Sequence, residues 1–310
     1  MRYFARLLSE LQEIARGTRP GQRLRPPPLL DSVVIQGKRV CFAQMGLSQK
    51  HGPAIVLLHG FGGFFMDWPR VMAPLAGHYH VFVPDLPGWG FSEPRNSPTE
   101  IEGDVEMLRL FLESQCIQKV VLVGLSYGGG VTWAAAAQRL PQIQKIVLLN
   151  PMPPFPMRYL KSPLYRGIMW VNSRLWRARL SHKFVTKFQY KTICKENLFN
   201  PRLLDTFYLD LGYLVLKQPH VADTLHQHSV GARMIDWQKW EDRLRDVNVP
   251  TLILQGKQDK LFSPESARYL ASLIPNARLH EIDRCGHAMI FDHHREVIRQ
   301  VSHWIEGSDA

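Results

Sequence analysis

The run Val120-Val121-Leu122-Val123-Gly124-Leu125-Ser126-Tyr127-Gly128-Gly129-Gly130 passes from strand to helix through a single turn. Val120–Val123 is continuously apolar, as a strand buried on both faces must be. Tyr127–Arg139 has helical length and composition. Between them lies Gly124-x-Ser126-x-Gly128. A strand that turns at once into a helix leaves room only for small residues on both flanks of the turn, and it lifts the central serine oxygen clear of the backbone.

Working outward, the same alternation recurs on both sides. Ser32–Gln36 and Arg39–Ala43, parted by Gly37-Lys38, read as an opening hairpin. Ile55–Leu58, Val81–Val83 and Ile146–Leu149 read as further buried strands, and Ile101–Ser114 as a helix. After residue 245 the pattern resumes with strand Thr251–Leu254, a helix near Pro264–Leu273, strand Arg278–Ile282 and a last helix around Arg295–Ile305. Strands alternating with helices predict an α/β fold, a mostly parallel sheet wrapped by helices. Residues 155–245 break the rhythm: they are helical, aromatic and basic, and are expected to be an insertion between two strands of one sheet. The expected organisation is an N-terminal extension with a Pro-rich linker (1–30), a core (31–154 plus 246–310) and a helical insertion (155–245).

Open α/β sheets place their sites at the carboxyl ends of the strands, and the chemistry-bearing residues fall there. A serine hydroxyl needs a base within hydrogen-bond reach. His287, in Cys285-Gly286-His287, lies on the loop after the last expected strand. The base needs a carboxylate to hold its tautomer and stabilise the imidazolium. Asp259, after strand Thr251–Leu254, fits; Asp236, Asp283 and Asp292 are its rivals, and Asn150 is not ionisable. His59-Gly60-Phe61-Gly62-Gly63 follows strand Ile55–Leu58. Its glycines let the chain aim backbone N–H groups at a developing oxyanion, each worth about 3 kcal/mol. The N–H groups of Phe61 and Tyr127 are the expected pair. His59, Gly60 and Gly62 are expected to support the loop.

The order Ser126…Asp259…His287, with His59-Gly60 upstream, resembles the α/β-hydrolase superfamily. Asp85-Leu86-Pro87-Gly88-Trp89-Gly90-Phe91-Ser92 is similar to that family's D-x-x-G-x-G-x-S loop. The resemblance covers about 31–154 and 246–310, and it makes residues 155–245 a cap, a helical lid over the nucleophile. It implies that Ser126 attacks a carbonyl, His287 moves the proton, Asp259 orients His287, and water releases the acyl-enzyme with no metal or organic cofactor. Capped ester hydrolases and meta-cleavage carbon–carbon hydrolases are the most similar groups. Epoxide hydrolases and haloalkane dehalogenases use a carboxylate where this chain has Ser126. The expected activity is cleavage of a carboxylic ester, with a lipophilic small-molecule substrate of monoacylglycerol or lysolipid type. The alternatives are carbon–carbon hydrolysis by the same triad, and a ligand-binding receptor or scaffold on the same fold.

Length and composition agree with this reading. The 310 residues are 45% hydrophobic and 21% charged, which excludes a disordered tail, a collagen or a disulfide scaffold. Cys41, Cys116, Cys194 and Cys285 lie far apart with no CxxC pair, as free thiols of a reducing compartment do. Without a signal peptide or a long apolar run, a cytoplasmic location is expected. The formal charge of +11 is unevenly spread: +4 in residues 1–30, +9 in 155–245 and −2 in the remainder. Phe4, Leu7, Leu8, Leu11 and Ile14 fall at helical spacing in the first segment. Between Arg158 and Lys195 ten cations stand with no acid, interleaved with aromatics. In a helix over 163–180, Leu164, Ile168, Val171 and Leu175 would line one face opposite Arg166, Trp170, Arg174 and Arg177. Two readings of this charge stay open, a solvated basic face and contact with an anionic membrane surface through 1–30 and 158–195. No nucleic-acid motif accompanies the charge, so nucleic acid is not an expected partner. The His78/His80, His226/His228 and His293/His294 pairs lack a third ligand at fitting spacing and are not read as metal sites. Oligomeric state is left open.

Overall fold

The computed structural model describes residues 29–46, 52–94, 101–174, 186–204, 206–231 and 234–307. Eight strands form one sheet in the spatial order β1-β2-β4-β3-β5-β6-β7-β8. These are β1 (Leu29–Ile35), β2 (Lys38–Met45), β3 (Ala54–Leu58), β4 (Val81–Pro84), β5 (Val120–Leu125), β6 (Ile143–Leu149), β7 (Thr251–Gly256) and β8 (Ala277–Ile282). The hairpin β1–β2 is antiparallel and β2 meets β4 antiparallel; every pairing from β4 to β8 is parallel. The sheet is thus mostly parallel, as the alternation predicts.

Helices cover it: α1 (Pro69–Leu75), α2 (Ile101–Ser114), α3 (Tyr127–Ala137), α10 (Pro264–Leu273), the short α11 (Met289–Asp292) and α12 (His294–Glu306). Between β6 and β7 stand α4 (Pro156–Tyr159), α5 (Pro163–Arg174), α6 (Lys187–Glu196), α7 (Thr206–Leu216), α8 (Pro219–Gly231) and α9 (Trp237–Leu244). Strands β3 and β5 are almost wholly buried because helices cover both of their faces, which is why their sequences are uninterrupted Val, Ile and Leu. Side chains such as Trp68, Phe111, Trp133 and Trp240 fill the layers above and below.

Two local readings differ. The first, α1, was not anticipated: it is two turns long and carries Pro69 at its start and Pro74 inside it, a composition that masks helical periodicity. In α5 both the apolar face and the face opposite it reach solvent: Leu164 is exposed and Trp170 on the other side is 57% exposed. Arg177, Leu175 and the N-terminal amphipathic segment lie outside the described residues. Among the described residues no helix is long and apolar enough to cross a membrane.

Candidate active site

Ser126 stands between β5 and α3 with φ 53° and ψ −114°. This left-handed φ is costly for a residue with a Cβ, and three backbone bonds hold it. The Ser126 N–H donates to the Leu149 carbonyl at 2.9 Å, and the Ser126 carbonyl accepts from Met152 at 2.8 Å and Gly130 at 3.0 Å. The flanking glycines are dictated by contact. A Cβ on Gly128 would sit 2.3 Å from the Leu58 carbonyl oxygen and 2.5 Å from that of His59, at the end of β3. A Cβ on Gly60 would lie 3.2 Å from the Ser126 Cβ. The loop bearing Phe61 therefore runs directly beside the serine, with Tyr127 immediately after it.

That loop is fixed from below. Leu86 N–H donates to His59 Nε2 at 2.9 Å, which assigns the ring proton to Nδ1, 2.8 Å from the Gly60 carbonyl oxygen. His59 is fully buried and burial pulls its pKa down to about 4, so it serves as a neutral tie. Asp85 accepts from Phe65 N–H at 2.6 Å and Phe91 N–H at 2.9 Å, while Ser92 Oγ donates to the Asp85 carbonyl at 2.8 Å. The Asp85–Ser92 loop thus braces the loop that carries Phe61.

His287 and Asp259 come together from the loops after β8 and β7. His287 Nδ1 lies 2.8 Å from Asp259 Oδ2, with both residues buried. Asp259 Oδ1 accepts from Leu261 N–H at 2.7 Å and Phe262 N–H at 3.1 Å, which orients the carboxylate toward the ring. With Nδ1–H facing Asp259, Nε2 is left as the proton acceptor. Among the described residues no hydrogen bond joins Ser126 Oγ to His287; catalytic bonds of this kind commonly tighten only when substrate is present. The rival acids are engaged elsewhere. Asp236 caps α9 by accepting from Lys239 N–H, and Asp283 is bound by Gln258 at 3.1 Å. Asp292 accepts from Gly286, Phe199 and Asn200 N–H groups, tying the His287 loop to the helical insertion.

Asn150 is a residue whose part sequence reasoning missed. Its Nδ2 donates to the carbonyls of Gly286 at 2.8 Å and His287 at 2.7 Å, and its Oδ1 accepts from Gly256 N–H at 2.7 Å. One fully buried amide therefore clamps the end of β7 and the loop after β8 to the end of β6. Its position directly after a strand at the site's end of the sheet was the available signal.

The helical insertion closes over the site through aromatic and polar contacts. Trp89 Nε1–H donates to His228 Nε2 of α8 at 3.1 Å. The His228 ring stands edge-on to Phe61 at 5.6 Å and to Tyr127 at 4.9 Å, so one insertion side chain touches both residues of the expected oxyanion pair. The Tyr127 hydroxyl donates to Asp104 on α2. On α7, Tyr208 OH donates to Asp67 Oδ1 at 2.8 Å, and Phe262 packs on the His287 ring at 5.8 Å. Aromatic rings thus stand against Tyr127, next to Ser126, and against His287. Among the described residues no cluster of three or more His, Cys, Asp or Glu side chains could hold a metal.

Burial pushes Asp67 up to about 7 and Asp85 up to about 8. A carboxyl raised in the folded state takes up protons on folding, so its contribution is present at low pH and lost as pH rises through 7 to 8. His59, lowered from 6.5, acts in the opposite sense only where the unfolded ring is protonated, so its effect fades as pH rises above that value. We expect the denaturant midpoint to fall as pH is raised from 7 to 8; a midpoint that rises or stays level would contradict protonated carboxyls at these positions.

Comparison with known proteins agrees with this geometry. A hydrolase from Cupriavidus pinatubonensis acting on 2-hydroxy-6-oxononadienedioate and 2-hydroxy-6-oxononatrienedioate is 28% identical over 264 residues, 80% of this chain and 84% of its own. A 2-hydroxy-6-oxo-2,4-heptadienoate hydrolase from Pseudomonas putida is 26% identical over 83% of this chain and 91% of its own. Among solved structures, a bacterial membrane phospholipase A superposes with a TM-score of 0.76 at 22% identity, over 98% of this chain and 91% of that one, a likeness of fold. The family model of the alpha/beta hydrolase fold matches residues 53–294, which span the sheet from β3 to β8 and every side chain described above, and the chain belongs to the α/β-hydrolase family.

Proposed function

We propose that this hydrolase cleaves carboxylic esters with a lipophilic acyl chain, through an acyl-enzyme on Ser126. The observation that carries the reading is the conjunction at one end of the sheet. There a serine is held at φ 53° at the end of β5 and a buried His287–Asp259 pair 2.8 Å apart stands on the loops after β8 and β7, with the Phe61 ring against those of Trp89 and Tyr127 and the Phe262 ring against that of His287. In this mechanism His287 Nε2 takes the Ser126 proton as Oγ bonds to the ester carbonyl carbon. The same proton passes to the departing alcohol oxygen as the C–O bond breaks. Water then adds to the acyl carbon, with His287 again as base, and releases the acid and free Ser126. The N–H groups of Phe61 and Tyr127 hold the oxyanion in both halves. An aromatic wall favours an acyl chain that leaves water on binding, at roughly 0.8 kcal/mol per buried methylene.

Carbon–carbon hydrolysis is the second reading, favoured by the two relatives that act on 2-hydroxy-6-oxo-dienoates. It uses the same groups on a ketone carbonyl, with a carbon leaving group. Two measurements test the proposal. A fluorophosphonate probe should add covalently to Ser126, located by peptide mass. In a panel of p-nitrophenyl esters kcat/KM should rise with chain length from acetate to octanoate. A vinylogous diketone turned over at a kcat/KM above that of every ester would replace the first reading by the second.

A further inference from the structure

Helix α6 and the turn that follows it carry a surface feature that hydrolysis does not use. The helix is capped by Thr186, whose side chain accepts from Gln189 N–H. Its inner face carries Tyr190, whose ring lies 6.1 Å from that of Tyr213 on α7. Its outer face presents Phe188, Lys191, Thr192 and Lys195, which at 100° per residue fall within one third of the circumference. Phe188 is 78% exposed. Lys191 and Lys195 border a crevice of about 250 Å³ whose other walls are Pro201, Arg202, Leu204, Thr206 and Leu209.

The electrostatics of that crevice are one-sided. Among the described residues no carboxylate lines it, and Lys191, Lys195 and Arg202 form no ion pair. Lys187, one turn earlier, does pair, with Asp210 at 2.6 Å, so acids are within reach of the helix and are spent elsewhere. Three cations that find no partner among the described residues stand around an apolar floor and repel one another, and the repulsion is relieved by anions that approach from outside. The adjoining aromatic ring in water is the second half of the pattern. An amphipathic helix that rests on a lipid surface buries an aromatic side chain at the acyl boundary while its cations meet phosphate headgroups.

We propose that the outer face of α6, with the Lys191–Lys195–Arg202 crevice, docks the protein on an anionic lipid surface, Phe188 entering the interface and the three cations engaging headgroup phosphates. The docking does not depend on which bond the site cleaves. It is tested with the full chain and vesicles of phosphatidylcholine, with and without phosphatidylglycerol, by co-sedimentation at low and high salt. The protein should partition to the phosphatidylglycerol vesicles at low salt and be released at high salt. Lys191→Gln combined with Lys195→Gln should lower that partition roughly thirtyfold, at about fivefold per charge. Phe188→Ser should lower it severalfold with the salt dependence kept. Circular dichroism melting checks that each variant is folded; should the double variant not fold, Arg202→Gln alone is expected to cost about fivefold. Equal binding of folded variants and wild type, equal binding to neutral vesicles, or no binding by the wild type would each overturn the proposal.

Discussion

Replacing Ser126 by alanine is expected to lower kcat on a p-nitrophenyl ester by roughly 10⁶-fold while leaving the melting temperature close to that of the wild type. The loss is large because the remaining groups act on a nucleophile that is no longer there. His287 then has no hydroxyl to deprotonate, and the oxyanion donors see only the slow attack of water. The fold should survive because backbone bonds hold the turn. Leu149, Met152 and Gly130 grip the main chain of residue 126 and none of them touches the hydroxyl. Steady-state kinetics and a melting curve on one preparation check both halves. A variant that keeps more than about a tenth of wild-type activity, where a working triad predicts a 10⁶-fold loss, would remove Ser126 from the mechanism.

Asp259→Asn is expected to cost roughly 10⁴ in kcat, with KM little changed. The carboxylate accepts on both oxygens, from Leu261 and Phe262 on one and from His287 on the other. An asparagine that keeps its oxygen toward the two backbone donors turns its NH₂ toward His287 Nδ1. The ring must then carry its proton on Nε2, and the base arrives already protonated where it should accept. Asp283→Asn serves as the control, since that exposed side chain is bound to Gln258 and the Arg284 backbone at the rim. Its kcat should stay within about twofold of wild type. Comparable losses in the two variants would show that the acid has been misassigned.

Much of the architecture was legible because its signals are local. Helices Ile101–Ser114 and Pro264–Leu273 begin and end where periodicity places them. The strands differ from their expected spans mainly in length. β6 begins at Ile143 because Gln144 and Lys145, which break the apolar run, still pair in the ladder or beside it. The order of the site residues was legible from strand ends and glycines. Contacts that join distant segments were not. Nothing in the spacing of Trp89 and His228, or of Tyr208 and Asp67, announces that each pair bonds across the insertion. A helical segment also does not reveal which face it turns inward, as Leu164 shows. Asn150 was excluded as an acid on chemical grounds, and its uncharged chemistry is the reason it suits its place: an amide offers donors and an acceptor at once.

That side chain has a consequence for how the molecule comes apart. The β6–β7 pair brackets the helical insertion, so the chain makes a long excursion between two strands that lie side by side. Closing such an excursion costs entropy that grows only slowly with its length, but the seam it leaves is where two halves of a sheet could separate. The amide of Asn150 crosses that seam with three bonds, to the end of β7 and to the loop after β8. Amide hydrogens of β7 and β8 should therefore exchange with solvent in the same cooperative unit as those of β5 and β6, however readily the insertion helices open.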